Sequence, residues 1–345
     1  MKTFQHILIF TLASLNLDAL AEQPVERIIV TNGKIQAELT PDIGGRLLSF
    51  SLKGKPNFLR VGEAVETTPQ PDVSPQADNQ AYLGHEVWVG PQSEWWIHQQ
   101  LNPKRADAKA DWPPDPYLIL SRNKVLEKAK GKVVLQSPES PITGVQLTKT
   151  YELLPRKKNA LALEVSAKNI RADNIAWDIW FNTRTHADTQ VYVPVAADTD
   201  IRAKSYDFPM AAPLAWSLQD GIFSLDMVPP PEGKKFRNGK IMIQPSQGWM
   251  AGFHGEQLFI VKFALQPLTA IHPEQGQVEL YSAYDPANLA DGLLEMEVHA
   301  AYTKLAPGQV MNAREIWTIL EYKGPATREA HLAFLRAHQQ DLQLP

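Results

Sequence analysis

The sequence predicts a large all-β protein, an antiparallel β-sandwich with one C-terminal helix. Three observations predict it. Segments with apolar residues at every second position follow one another along most of the chain, and that is the period of a half-buried strand. Gly, Pro, Asn and Asp punctuate these segments, so short turns join them. The chain also carries 27 prolines, which short strands and turns accommodate better than long helices do.

The first element is a hairpin. Residues 27–40 read RIIVTNGKIQAELT, two alternating halves around Asn32-Gly33, a dipeptide that favours the type I′ turn. Residues 41–45, PDIGG, interrupt the sheet before a strand over 47–52. From about residue 62 to 116 alternation fades while Pro, Gln, Asp and Trp accumulate. This predicts a long excursion away from the core, with an ordered aromatic centre over 82–96. Strand signals resume at 145–153, 160–169, 175–182, 249–254, 257–263, 278–284, 293–299 and 315–322. Residues 326–342, with Leu332, Phe334 and Leu335, read as a helix packed on the outside.

Composition excludes several classes. Of 345 residues 44% are apolar and 21% charged, with a net charge of −4, which suits one globular domain over 22–345 and gives no basic footprint for nucleic acid. No polybasic run points to a stable membrane anchor. There is no cysteine, so disulfides, Cys-ligated zinc and thiol catalysis are out. Lys2, an apolar run over 7–17 and Ala19-Leu20-Ala21 read as a secretory signal peptide cut near Ala21, since the run is shorter than a membrane span. The expected location is periplasmic or secreted. Phosphate-binding Gly-rich loops, dinucleotide fingerprints, helical His pairs, Asp-rich calcium loops and Gly-x-Ser-x-Gly are all absent. No metal and no cofactor is expected.

What remains is acid–base chemistry, cationic side chains and aromatic surfaces. Arg46 opens a strand after Gly44-Gly45. His85 stands in Gly-His-Glu-Val-Trp, with Trp88 closing that run and Trp95, Trp96 and Trp112 further on. His186 follows the strand that ends near Asn182. Glu295 and Glu297 lie two apart in one strand and share a face. Each has a structural alternative: a sheet-edge cation, a loop histidine, core tryptophans, a solvated acidic face.

The order of these segments resembles the galactose mutarotase-like (aldose 1-epimerase-like) superfamily, in an exported branch of uncharacterised function. The resemblance rests on residues 38–50 (ELTPDIGGRLLSF), on Gly84-His85 with Trp88, on 147–153 with 161–169, on 249–263, and on Leu294 to Glu297, Leu305 to Gly308 and Trp317. It implies a supersandwich fold, with a cleft for a small-molecule or oligomeric carbohydrate. Members of known activity interconvert sugar anomers with a base at the anomeric hydroxyl and an acid at the ring oxygen. Carried over, Glu297 is the base; His85 and Arg46 bind hydroxyls or polarise the ring oxygen, and Lys262 and Glu295 line the same face. One departure stands out. Trp180 occupies the position of the second, acidic histidine, and His186 follows six residues later. A tryptophan stacks on a sugar, as Trp88 does in this reading, but it delivers no proton. Three readings stay open: an epimerase using Glu297 with His85 or His186, a sugar-binding protein without turnover, and an envelope scaffold.

Overall fold

Residues 28–40 form the expected hairpin, Ile28–Thr31 against Ile35–Thr40, and from it a large sheet grows in a computed structural model that describes residues 23–344. The expected signal segment lies outside the described residues. The sheet continues through Arg46–Leu52, His85–Gly90, Ile175–His186, Asn288–His299, Val278–Asp285, Phe236–Ile243 and Ile201–Lys204, in that spatial order. A second large sheet runs Trp216–Gln219, Ile222–Leu225, Gln190–Pro194, Trp249–His254, Gln257–Phe263, Val310–Glu321, Ala160–Asn169, Val145–Leu153, Lys132–Gln136 and Lys124–Ala129. Both are antiparallel along these paths, and together they form a β-sandwich.

Side chains from the two sheets meet between them. Phe50 of the first sheet packs edge-on against Phe259 and Trp317 of the second. Polar ties cross the same space: the Lys149 ammonium donates to the Gly44 carbonyl at 2.5 Å, and the Tyr151 hydroxyl donates to that of Gly45 at 3.2 Å. The outer face of the second sheet is covered by the C-terminal helix Arg328–Ala337. Its first turn is capped by the Thr327 hydroxyl, which accepts from the Ala330 N–H, and its His331 stacks on Phe253 with ring centroids 3.9 Å apart.

The excursion over 62–116 is corrected by the structure. Its centre, His85–Gly90, is a strand in the middle of the first sheet, paired with Ile175–His186. All six of its residues are buried. A strand covered on both faces has no apolar–polar alternation to display, so the sequence pattern hides it. The rest of the segment forms short helices and turns, and from it Trp95 and Trp112 pack against Trp88 of this strand.

Gly44 shows how the sequence shapes the step into Arg46. Its φ is +65° and its N–H donates to the Ser121 carbonyl at 2.8 Å. A Cβ there would lie 2.5 Å from the Ile119 carbonyl oxygen. Gly44→Ala is therefore expected to lose about 1–3 kcal/mol from the backbone conformation alone, with the clash added to it. Urea unfolding measures this, and a variant as stable as the parent would contradict the assignment.

Candidate functional site

Strand alternation divides the first sheet into an inner face, toward the second sheet, and an outer face. On Ile175–His186 the outer set is Asp178, Trp180, Asn182 and Arg184. Register places Glu86 opposite Asn182 and Trp88 opposite Trp180 on one side, and Glu295, Glu297 and His299 opposite Arg184, Asn182 and Trp180 on the other. The next strand adds Glu279 opposite Glu297 and Tyr281 opposite Glu295. Beyond it, Lys240 lies opposite Tyr281.

These side chains form two linked charge clusters. In the first, Glu86 receives Arg46 on one oxygen and Arg184 on the other, the latter at 2.5 Å. Arg184 reaches on to Glu295 at 2.7 Å and lies over the Trp88 ring. Burial alone would raise the Glu86 carboxyl, but the two guanidiniums outweigh it and hold the group below its usual range. In the second, the Lys240 ammonium donates to Glu279 at 2.7 Å and to Glu297 at 3.0 Å. Burial works against its charge, and the carboxylates, Glu279 first, more than compensate and raise it. His299 contacts Asp178 at 3.1 Å and Glu279 at 3.7 Å. Burial opposes its charge too, but these carboxylates raise it to about 9.

Glu297 is the least accessible of the group, with no exposed surface. One of its oxygens accepts from both the Trp180 indole N–H, at 2.8 Å, and Lys240. The other, like the buried Asn182 amide, has no protein partner among the described residues, a condition common where a small molecule or water completes a site. Burial is the main cause that pushes the Glu297 carboxyl up, with Glu295 and Glu279 adding to it against the pull of Lys240. Glu279, Glu297 and His299 stand close enough to hold a metal ion. The Lys240 ammonium already sits between the two carboxylates as their cation.

In front of this cluster lies a cavity of about 300 Å³, lined among others by Trp180, Lys240, Glu279, Arg202, Tyr206 and Asp111. That is at the lower end of small-molecule sites. Glu297 is not on its wall; Trp180 and Lys240 stand between.

The structure brings together Arg46, Trp88, Trp180, Glu295 and Glu297 on the outer face and separates the other three expected residues from them. His85 points inward, its ring 4.8 Å from Trp317 and its Nδ1 2.9 Å from the Thr183 hydroxyl. Burial, and then Lys149, Arg184 and Arg46, hold it well below the usual histidine range. The correction follows from alternation: Glu86, the next residue, takes the outer face. His186 pairs with Leu293, four positions along the strand from the partner of Asn182, or about 13 Å from that row. There it stacks on His254 at 4.2 Å. Lys262 belongs to the second sheet and donates to the Leu342 carbonyl at 2.9 Å, tying down the C-terminal segment. Stacking of a sugar on Trp180 is also corrected, because Lys240, Trp88, Trp95 and His299 already surround the ring. Trp180 is 2% exposed.

Six residues not singled out by the sequence reading complete the clusters: Glu86, Asp178, Arg184, Lys240, Glu279 and His299. A signal for three of them was present. Asp178, Trp180, Asn182 and Arg184 alternate with Ile179, Phe181 and Thr183, and His299 continues the parity of Glu295 and Glu297.

Comparison with known proteins agrees with this architecture. The model of a domain of unknown function, DUF4380, matches residues 25–320. No curated protein matches the chain. Among solved structures, a galactose mutarotase-like protein from Lactobacillus casei ATCC 334 is similar at 10% identity and a TM-score of 0.56, over 86% of this chain and 100% of that one. The Slr1438 protein from Synechocystis sp. PCC 6803 is similar at 10% identity and a TM-score of 0.51, over 87% and 99%. A TPR-domain containing protein from Parabacteroides distasonis ATCC 8503 is similar at 16% identity and a TM-score of 0.51, over 88% of this chain and 50% of that one. The fold is galactose mutarotase-like.

Proposed function

The chain belongs to the DUF4380 family and has a galactose mutarotase-like fold, and from that premise we propose that it is a carbohydrate-binding protein of the exported compartment that does not turn sugars over by the mutarotase route. Fold alone does not choose between catalysis and binding, because one scaffold hosts many functions. The shielding of Glu297 carries the choice. An anomeric base must reach the hydroxyl it deprotonates, within about 3 Å or through one water. Here one Glu297 oxygen is engaged by Trp180 and Lys240, and the carboxyl is fully buried behind them. The acid is missing from its expected places as well, with His85 turned inward and His186 stacked on His254.

Sugar recognition is supported by the cavity in front of the shield. Ring hydroxyls need donors and acceptors at several angles, and its wall offers the ammonium of Lys240, the carboxylate of Glu279, the amides of Gln92 and Gln275 and the Tyr206 ring. Two measurements test the reading. Saturation-transfer NMR with a panel of reducing sugars should show binding, and anomer exchange of the same sugars should run at the buffer rate. Exchange accelerated by the protein, and abolished in Glu297→Gln, would make it an epimerase instead. No binding to any sugar or glycan would remove the carbohydrate reading.

A further inference from the structure

The cavity has the volume for about one sugar ring, yet aromatic side chains continue beyond it on both sides. On one side Asp111 lines the cavity, and the adjoining Trp112 is 50% exposed, its ring 6.2 Å from that of Trp88. On the other side Tyr206 lines the cavity, and its ring lies 6.2 Å from Phe208, also 50% exposed, and 6.0 Å from Tyr281. The buried tryptophans of the site have their rings surrounded; Trp112 and Phe208 offer open surface.

The two flanks stand over different strands. Trp88, beneath Trp112, is on His85–Gly90, and Tyr281, beside Tyr206, is on Val278–Asp285. Three inter-strand steps separate those strands, about 14 Å along the sheet. That span is wider than one pyranose ring. The charges along the wall balance, with Arg202, Lys204 and Lys240 against Asp111, Glu274 and Glu279. Most are already engaged: Lys240 with Glu279, Arg202 with the carbonyls of Pro273 and Gln275, and Glu274 with the Ser93 hydroxyl. No surplus cation selects an acidic sugar. Open aromatic faces spaced along a polar, charge-balanced surface suit consecutive rings of a neutral glycan, whose C–H faces are apolar and whose edges hydrogen-bond.

We propose that this face binds a run of neutral sugar residues, one in the cavity and its neighbours against Trp112 and Phe208. The inference rests on the carbohydrate reading above and adds the length of the ligand to it. Isothermal titration with β-1,3-, β-1,4-, β-1,6- and α-1,4-linked glucose oligomers and the corresponding galactose and mannose series, from one to six residues, tests it. Affinity is expected to rise by about tenfold or more between one and four residues in at least one series. Trp112→Ala and Phe208→Ala, both at exposed positions and checked for an unchanged melting curve, are expected to flatten that rise. Monosaccharide binding with no gain from length overturns the inference and leaves the carbohydrate reading standing. A rise that survives both substitutions overturns the assignment of the flanks. No binding in any series overturns both readings. A Trp112→Ala effect confined to self-association, measured by sedimentation, makes the exposed aromatics a protein interface and overturns the inference alone.

Discussion

Lys240→Met is expected to destabilise the protein by about 3–5 kcal/mol at neutral pH, the range for breaking a buried ion pair by removing one partner. Methionine fills the same space, so the loss is electrostatic. Without the ammonium, Glu279 and Glu297 face each other in a buried site with their attraction to Lys240 removed. The pH dependence has a definite sign. In the parent, Lys240 is raised and Glu279 lowered. The lysine contribution is therefore complete below its unfolded value, near 10.4, and the glutamate contribution is complete above its own, near 4.3. Glu297 is raised in the parent too and already takes up a proton on folding; in the variant Glu279 loses the ammonium that lowers it, so a second carboxyl must take up a proton and stability falls more steeply than in the parent as pH rises from about 4.3. The gap between parent and variant thus widens from pH 5 to pH 8. Urea unfolding at the two values measures it. A loss below about 1 kcal/mol at pH 8, or a gap that narrows with pH, would contradict this account of the cluster.

Glu315→Gln should act in the opposite direction and stabilise the fold by a few kcal/mol, about 3, at pH 8. Glu315 lies between the sheets, and its carboxyl accepts from the Trp317 indole N–H at 2.7 Å. Burial raises it to about 8, and the single hydrogen bond from Trp317 only partly opposes this. The unfolded chain releases that proton near pH 4.3 and the folded chain near 8. Between these values the folded state binds more protons, so parent stability falls as pH rises. Each unit of the window corresponds to about 1.4 kcal/mol, and relaxation around the charge takes back part of the total. Glutamine keeps an oxygen for Trp317 and carries no charge. The gain should be near zero at pH 4.5 and reach a plateau above pH 8. A destabilised variant at pH 8 would mean that the ionised carboxylate is used by the interior.

How far the sequence reveals this site depends on what alternation can show. The hairpin around Asn32-Gly33 and the strands Val145–Leu153, Ala160–Asn169, Trp249–His254 and Gln257–Phe263 were legible with their ends because each has one covered and one open face, or a clear turn beside it. His85–Gly90 was not legible, since both its faces are covered. Parity put Glu295 and Glu297 on one face without a structure, but nothing local says which face, or which strand lies next. Lys240 and Glu279 meet Glu297 through pairings between segments that are separated in sequence, and register of that kind is not written in either segment. The same limit misplaced Lys262, whose strand looks no different from one in the first sheet. His85 and Glu86 are adjacent, and only the register against Ile175–His186 decides that the carboxylate faces outward.

Trp180 takes on a different meaning once the strands are assembled. From sequence it stood where an acid was expected and suggested a stacking platform. In the fold it donates to Glu297 and stands between that carboxyl and the cavity, so the residue found where an acid was expected shields the carboxyl expected to be the base. The open aromatic surface is supplied by Trp112 and Phe208 instead.

The most direct test of the central claim is a crystal structure of the protein soaked with the tightest-binding glycan. The account predicts a sugar ring in the cavity beside Lys240, Glu279 and Tyr206, with the Trp180–Glu297 hydrogen bond intact. A sugar bound elsewhere, or one that reaches Glu297 directly after displacing Trp180, would contradict it.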